Sequence, residues 1–243
     1  MPKHQRPTVS RRRHARLTGG LLETVRNETR QQVAVLTSYV RAGADPVIEP
    51  DPQDTCITRV LRSGQSWEAW LTPYFTRYCT ADTICLDVGA NIGTHTVDLA
   101  RWSAQVHAFE PQERVHAILA RNTSALGNVI THHAGASDTA GVTRMKEPTG
   151  NVGATQIAVD GTGEQVTLLR LDDLHFDAPV GFIKMDVEKH EREALLGARA
   201  LITHDRPVII LEDQSDARAV LAALGYRCRR ISAHDFLCLP PGR

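Results

Sequence analysis

The chain has 243 residues, and 28 lysine and arginine residues balance 28 acidic residues, so the formal net charge is zero. This balance argues against a protein that mainly coats nucleic acid, and the sequence contains no 18-residue apolar run that could span a membrane. Five scattered cysteines without a C-x-x-C pair predict neither a disulfide framework nor a structural zinc site, which favours a reducing cytoplasm.

The N-terminal third differs in composition from the rest of the chain. Residues 1–30 contain eight lysine and arginine residues against two glutamates, which predicts a solvated tail, with a contact arm for an acidic partner as the alternative. Apolar positions in Leu21–Val40 follow helical spacing, and Trp67–Tyr78 is predicted as a second helix. We therefore interpret residues 1–80 as a helical N-terminal appendage or lid.

After Thr80 short apolar runs alternate with helical stretches. The predicted strands are Thr83–Val88, Gln105–Phe109, Val129–His133, Val180–Met185, Pro207–Leu211, Tyr226–Ile231 and Phe236–Leu239. The predicted helices are Thr94–Trp102, Glu113–Leu126, Glu191–Ile202 and Ala217–Leu224. This alternation predicts a Rossmann-like α/β fold over residues 81–243, with a mostly parallel seven-stranded sheet that ends in an antiparallel hairpin. Residues 138–175 form an insert with two strand-like segments, Gln156–Val159 and Val166–Leu169.

The strongest local motif follows the first of these strands. Asp87 ends a buried run, and Gly89, Ala90, Asn91 and Gly93 form a turn that opens a helix at Thr94. Glycines let the backbone approach a ligand closely. The G-x-x-x-G spacing differs from the G-x-G-x-x-G of dinucleotide binders. It admits a ligand without a pyrophosphate, such as S-adenosylmethionine, whose ammonium Asp87 could hold.

Two further signals follow the next two strands. Glu110 ends the second strand, where a carboxylate can accept both ribose hydroxyls of an adenosine. Gly135 and Ala136 follow the third strand and leave room for an adenine ring, whose amino group Ser137 or Asp138 could bind. A turn residue and a surface carboxylate are the structural alternatives, but three signals in register on successive strands favour a cofactor site.

With these motifs in view, the chain resembles the FkbM family of S-adenosylmethionine-dependent methyltransferases over roughly residues 64–213. The matching segments are Asp87–Gly93, Ala108–Pro111, Gly135–Asp138, Leu171–Leu174 and Ile183–Glu191. The resemblance implies methyl transfer to a hydroxyl oxygen of a sugar, polyketide or other small metabolite. This chain departs from the family at Lys189, where glycine is common.

Candidate catalytic residues follow the fourth and fifth strands. Asp186 and Glu188 come after the fourth, and Glu212 and Asp213 after the fifth. This pattern resembles the metal site of catechol-type O-methyltransferases and implies Mg²⁺ held by Asp186, Glu212 and Asp213. In that class a lysine base stands three residues after the aspartate, the spacing of Lys189 here.

These assignments have alternatives in the same segment. Lys189 could instead be a solvated lysine. His190 is a second candidate base, with a packing or capping role as its structural interpretation.

Other functions remain open. An amine of an aminosugar or aminocyclitol is the alternative acceptor, because carboxylates suit a cation. Methylation of a nucleobase is disfavoured, since Met185–Glu188 replaces the Asn/Asp-Pro-Pro-aromatic turn of such enzymes. The missing G-x-G-x-x-G argues against an NAD-dependent oxidoreductase, and a non-catalytic binding module is not excluded. We expect a small-molecule acceptor and neither a membrane nor a nucleic acid as partner, and leave homo-oligomerisation open. The excess of arginine over lysine hints at bacterial secondary metabolism, such as antibiotic biosynthesis.

Overall fold

The structure, a computed structural model, describes residues 48–146, 156–158 and 161–243. The predicted basic tail and the predicted Leu21–Val40 helix lie outside the described residues. In these ranges no helix combines the length and the apolar character that crossing a membrane requires.

Helices and strands alternate along most of the described chain. The α-helices are α1 (Cys56–Arg62), α2 (Thr72–Tyr78), α3 (Thr94–Ala100), α4 (Glu113–Thr123), α5 (Glu191–Leu196), α6 (Arg199–Asp205) and α7 (Arg218–Ala223). The strands are β1 (Ile84–Val88), β2 (Gln105–Phe109), β3 (Val129–His132), β4 (Gly135–Ala136), β5 (Gly141–Lys146), β6 (Gln156–Ile157), β7 (Glu164–Leu169), β8 (Val180–Met185), β9 (Val208–Glu212), β10 (Arg227–Arg230) and β11 (Asp235–Leu239). Short 3₁₀ turns, Ala69–Leu71 and Leu171–Asp173, precede α2 and follow β7.

The main sheet has seven strands in the order β3-β2-β1-β8-β9-β11-β10. All neighbours are parallel except β9–β11 and β11–β10, which are antiparallel. This arrangement confirms the predicted Rossmann-like fold with its closing hairpin. Val88 on β1 pairs with both Phe109 on β2 and Met185 on β8, so these strands end level with one another. The residues that follow them therefore emerge at one edge of the sheet, where open α/β sheets bind ligands.

A second, four-stranded sheet has the order β4-β7-β5-β6. The strand-like segments predicted in the insert contribute β6 and β7, whereas β4 and β5 were not predicted. The reason is visible in β5, whose side chains are mostly exposed and which therefore lacks an apolar run. This small sheet follows β3 and adds a wall beside the carboxyl edge of the main sheet.

The main sheet is buried on both of its faces. All five residues of β1 are buried, one apolar cluster includes Leu195 and Leu221 from α5 and α7, and another includes Phe75 from α2. The Phe75 ring is fully buried and packs edge to face on Phe182 of β8, with 5.8 Å between ring centroids. Part of the predicted N-terminal appendage thus shares the core of the sheet. The domain boundary at residue 80 stays a prediction.

Two local features differ from the sequence prediction. The single helix predicted over Glu191–Ile202 is two helices, α5 and α6, separated at Gly197. A Cβ on Gly197 would lie 1.9 Å from the carbonyl oxygen of Ser137, so the chain passes too close here for any larger residue. Cys228 and Cys238 face each other across the β10–β11 hairpin and form a disulfide, which the scattered cysteine spacing does not predict.

Candidate active site

A buried carboxylate, that of Asp87, lies near the end of β1, next to the glycine-containing turn. Asp87 is fully buried, and its Oδ2 accepts a hydrogen bond from Thr96 Oγ1 at 2.6 Å. Its Oδ1 has no hydrogen-bond partner among the described residues. Because a buried unpaired carboxylate oxygen is costly, this atom indicates a polar group that the protein chain itself does not provide.

The glycines of this turn are required by its geometry. Gly89 has φ +83°, and a Cβ there would lie 1.8 Å from the carbonyl oxygen of Asp186. Gly93 has φ +91°, a backbone conformation that residues with a Cβ rarely adopt. Asn91 is also left-handed and accepts a hydrogen bond from Ile92 N on its own Oδ1. Because Gly89 has no Cβ, the turn can pack directly against the backbone of Asp186.

Glu110 lies at the end of β2 and is 4% exposed. Its Oε1 accepts a hydrogen bond from Gln112 N at 2.9 Å, and its Oε2 accepts one from Asn91 N at 3.1 Å. Burial raises the pKa of Glu110 to about 7, against the opposing effect of these two N–H donors. Each oxygen of an ionised carboxylate can accept a second hydrogen bond, so Glu110 can bind a pair of hydroxyl groups.

A cavity of about 310 Å³ runs along this edge of the sheet. One part of it, the apolar end, is lined by Phe109, Pro111, Gly135, Ala136, Met145, Ile157 and Leu168. Another part, the charged end, is lined by Glu68, His95, Lys184, Asp186, Glu188 and Glu212. Gly89, Ala90, Asn91, Thr94 and Glu110 also line it, so part of each predicted cofactor motif reaches one cavity. The lining does not include the predicted residues Asp87, Gly93, Ser137 and Asp138.

The residues present fit S-adenosylmethionine. The apolar end suits an adenine ring, Glu110 suits the ribose hydroxyls, and the Gly89 turn can approach the amino-acid part of the cofactor closely. The unpaired Oδ1 of Asp87 can take a hydrogen bond from an ordered water or an ammonium near the turn. The structure places Asp138 and Ser137 less directly at the cavity than the predicted cofactor residues that line it. Asp138 is exposed, whereas Ser137 is buried and shares a hydrogen bond with His190 at 2.9 Å.

Lys184 and Asp186 form an ion pair at the charged end, with 3.2 Å between Nζ and Oδ2. Burial works to lower the pKa of Lys184, but the carboxylates of Asp186, Asp87 and Glu68 together raise it, so the ammonium stays charged. Burial works to raise the pKa of Asp186, but the charge of Lys184 and a hydrogen bond with Glu212 lower it. Asp186 is therefore ionised near neutral pH.

The neighbouring carboxyl groups of Glu212 and Glu188 hold their protons more tightly than Asp186 does. Burial and the hydrogen bond with Asp186 raise the pKa of Glu212. Burial, followed by the charge of Asp186, raises the pKa of Glu188 to about 7. Glu188 has a left-handed backbone at φ +51°. Several carboxyl groups can therefore lie together at the charged end of the cavity, because only some of them are ionised at the same time.

Lys189 and His190, the predicted bases, are placed differently from each other. The side chain of Lys189 is exposed and is not among the residues that line the cavity, and its backbone N–H donates to Glu191 Oε1. The structure therefore does not bring Lys189 to the reaction space. His190 does line the cavity, and burial lowers the pKa of its imidazole.

The residues present do not fit the predicted magnesium site. In the described part of the chain, no group of three His, Cys, Asp or Glu side chains is arranged to hold a metal ion. Asp213 forms an ion pair with Arg218 and accepts a hydrogen bond from Ala217 N, which directs it to the start of α7. Asp186 is already paired with Lys184. The sequence pattern alone could not show these pairings.

At the charged end, sequence reasoning missed three lining residues, Lys184, Glu68 and His95. A weak signal exists for Lys184, because a lysine inside the apolar run of a buried strand requires a partner. Glu68 and His95 are 27 residues apart and meet only in the folded chain, with His95 Nε2 3.1 Å from Glu68 Oε2. No spacing rule connects them.

Comparisons with known proteins find methyltransferases. The family model for the methyltransferase FkbM domain matches residues 87–228. The hexuronic acid methyltransferase AglP of Haloferax volcanii is 32% identical over 121 residues, which are 48% of this chain and 50% of that protein. The chain thus aligns with half the length of this curated relative.

Two solved structures are similar to part of the chain at low sequence identity. The methyltransferase FkbM of Methylobacillus flagellatus KT is 18% identical, with a TM-score of 0.49, over 69% of this chain and 50% of that one. SMU.1697c of Streptococcus mutans in complex with SAH is 12% identical, with a TM-score of 0.44, over 70% of this chain and 93% of that one.

Proposed function

Because this chain belongs to the FkbM family of methyltransferases, we propose that it transfers a methyl group from S-adenosylmethionine to a hydroxyl group of a small metabolite. The observation that carries the proposal is a single cavity that joins the Gly89 turn and the buried Glu110 carboxylate to the ionised Asp186 carboxylate. The first two suit the cofactor, and the third suits the proton of an acceptor.

The cofactor supplies an electrophilic methyl group on a positively charged sulfur. Glu110 accepts hydrogen bonds from the ribose hydroxyls, and the apolar end of the cavity encloses the adenine. The turn at Gly89 brings the backbone close to the amino-acid part of the cofactor, because no Cβ stands in the way. These contacts fix the direction in which the methyl group points, and alignment contributes much of the rate in a displacement reaction.

On the acceptor side, Asp186 binds the hydroxyl group and takes its proton as the new carbon–oxygen bond forms. Lys184 keeps Asp186 ionised and correctly oriented through the 3.2 Å ion pair. Lys184 itself cannot act as the base, because its neighbours raise its pKa. Glu212, hydrogen-bonded to Asp186, shares the proton and limits the build-up of negative charge.

A sugar hydroxyl is the acceptor that we favour. The relative AglP is named for a hexuronic acid, and several carboxyl groups at one end of a cavity suit a compound with many hydrogen-bond donors. The same carboxylates also favour the second candidate, an amine of an aminosugar or aminocyclitol. The predicted cytoplasmic enzyme of secondary metabolism stays part of the proposal, although the Cys228–Cys238 disulfide removes the cysteine argument for a reducing compartment.

A transfer assay with radiolabelled S-adenosylmethionine tests this function on neutral sugars, hexuronic acids and aminosugars. We expect label to enter a hydroxyl-bearing sugar, and Asp186→Asn to lower the rate by about 100-fold or more while S-adenosylhomocysteine still binds. Glu113→Gln, which changes an exposed carboxylate on α4, is the matched control and should keep full activity. Full activity of Asp186→Asn would remove Asp186 from the mechanism, and label on nitrogen alone would favour the second candidate.

A further inference from the structure

Glu68 lies outside the family match at residues 87–228, yet it lines the charged end of the cavity. It directly precedes the 3₁₀ turn Ala69–Leu71 and has a left-handed backbone, with φ 46° and ψ 41°. Residues other than glycine adopt this conformation at a cost of about 1 kcal/mol. The local sequence does not favour such a backbone at a glutamate, so the surrounding structure must hold it there.

A histidine from a different element holds the Glu68 carboxylate. His95 on α3 is 5% exposed, and its Nε2 lies 3.1 Å from Glu68 Oε2. The His95 ring in turn packs edge to face on Phe75, with 5.7 Å between centroids. Among the described residues, no side chain or backbone N–H donates to the other oxygen, Oε1 of Glu68. The carboxylate is thus fixed at one oxygen and can bind a ligand with the other.

The charge of Glu68 acts on the same groups as that of Asp186. Burial opposes the charge on Lys184, and the carboxylates that overcome it and raise the Lys184 pKa are those of Asp186, Asp87 and Glu68. Glu68 is therefore within electrostatic reach of the Lys184–Asp186 pair, although it comes from the N-terminal side of the chain. Its side chain is 30% exposed, so it faces the open part of the cavity and is not sealed in the core.

We propose that Glu68 is an acceptor-binding residue that, with Asp186, selects a hydrogen-bond donor beside the transferable methyl group. The inference rests on the proposed function and adds its substrate class, a neutral hydroxyl or an ammonium group. At the methyl-accepting position a carboxylate would meet the negative charges of Glu68 and Asp186 against the single charge of Lys184, so on a sugar acid the inference favours a hydroxyl group over the carboxylate. A purely structural role, in which Glu68 only ties residues 65–71 to α3, is the competing explanation.

Sinefungin distinguishes the two roles without knowledge of the acceptor. This cofactor analogue carries an amine in place of the methyl-bearing sulfonium, so its ammonium reports charge at the methyl-transfer position. S-Adenosylhomocysteine lacks any group there. Glu68→Gln keeps the length of the side chain and an oxygen for His95, but removes the negative charge.

Isothermal titration of both ligands gives the test. We expect Glu68→Gln to weaken sinefungin by about tenfold, the size of one charge-assisted hydrogen bond, and to leave S-adenosylhomocysteine unchanged. Glu49→Gln, which removes the exposed pair with Arg121 from the same N-terminal segment, should change neither. Glu68→Asp, which keeps the charge, should retain most of the sinefungin affinity.

The outcomes separate the inference from the proposed function. If Glu68→Gln binds sinefungin as the unmodified protein does, or weakens both ligands equally, Glu68 is only structural and the inference fails. If the unmodified protein binds neither ligand, the proposed function fails first. A drop confined to sinefungin supports both.

Discussion

At the scale of single residues, two carboxylates at the same edge of the sheet differ in pKa because their surroundings differ. Glu110 is buried without a counter-charge, and burial raises its pKa to about 7. Asp186 is 29% exposed and pairs with Lys184, whose charge lowers the Asp186 pKa. The first carboxyl group can lose its proton when a ligand brings hydroxyl donors, and the second is ionised beforehand and can accept a hydrogen bond from the acceptor.

This difference predicts how cofactor binding depends on pH. Ribose hydroxyls donate to the ionised form of Glu110, so below about pH 7 binding must release the Glu110 proton. We expect the affinity for S-adenosylhomocysteine to fall as the pH is lowered from about 8 to about 6, approaching tenfold per unit below the pKa. Calorimetry in buffers of different ionisation enthalpy measures both the affinity and the released proton.

Glu110→Gln is the control for this prediction. It should bind more weakly and should lose the proton release, because glutamine does not titrate. An affinity that rises on acidification, or an equal proton release from Glu110→Gln, would contradict the assignment of Glu110.

Single site residues were predictable where the adjacent sequence indicates their place in the fold. Glu110 follows an apolar strand directly, and the fold then places it in the cavity. Lys189 matches a spacing known from other enzymes, but its left-handed backbone at φ +74° accompanies an exposed side chain outside the cavity. Glu68 could not be found, because its partner His95 comes from a helix that is remote in sequence.

At the scale of helices and strands, the degree of burial decides whether an element can be predicted from the sequence. The bounds of β2 and β8 agree with the predicted ones, because both strands are mostly buried in the middle of a sheet and carry mainly apolar residues. β5 lies at the surface and was missed for the opposite reason. The break between α5 and α6 was missed because a glycine inside a helical pattern signals only a weaker helix, whereas here Gly197 meets the backbone of Ser137.

The contact at Gly197 makes a prediction at this scale. In Gly197→Ala the new Cβ would overlap the Ser137 carbonyl oxygen, which belongs to the backbone and cannot move aside cheaply. We expect a loss of about 2–3 kcal/mol in the free energy of unfolding, or a melting temperature lower by roughly 5–10 °C. Gly127→Ala should melt unchanged, because no atom lies within 4 Å of a Cβ there. Equal melting of both variants would refute the close approach.

At the scale of the whole molecule, the cavity needs both the sheet edge and the residues that precede β1. Glu49 and Asp51 pair with Arg121 and Arg114 on α4 and anchor the first described residues. Asn122 strengthens this anchor, since its Oδ1 accepts a hydrogen bond from Glu49 N. The mostly parallel sheet with its closing hairpin was predictable from the alternation of strands and helices. The packing of the N-terminal residues against the sheet was not, because it depends on single contacts such as Phe75 with Phe182.

The measurement that tests the central claim most directly is the thermal stability of the whole chain with S-adenosylhomocysteine, with NAD in parallel. A ligand that binds only the folded state should add about 2.7 kcal/mol at about 100 times its dissociation constant. We predict a clear rise in melting temperature with S-adenosylhomocysteine, a smaller rise for Glu110→Gln, and none with NAD. Stabilisation by NAD, or by neither ligand, would contradict the assignment of this cavity to S-adenosylmethionine.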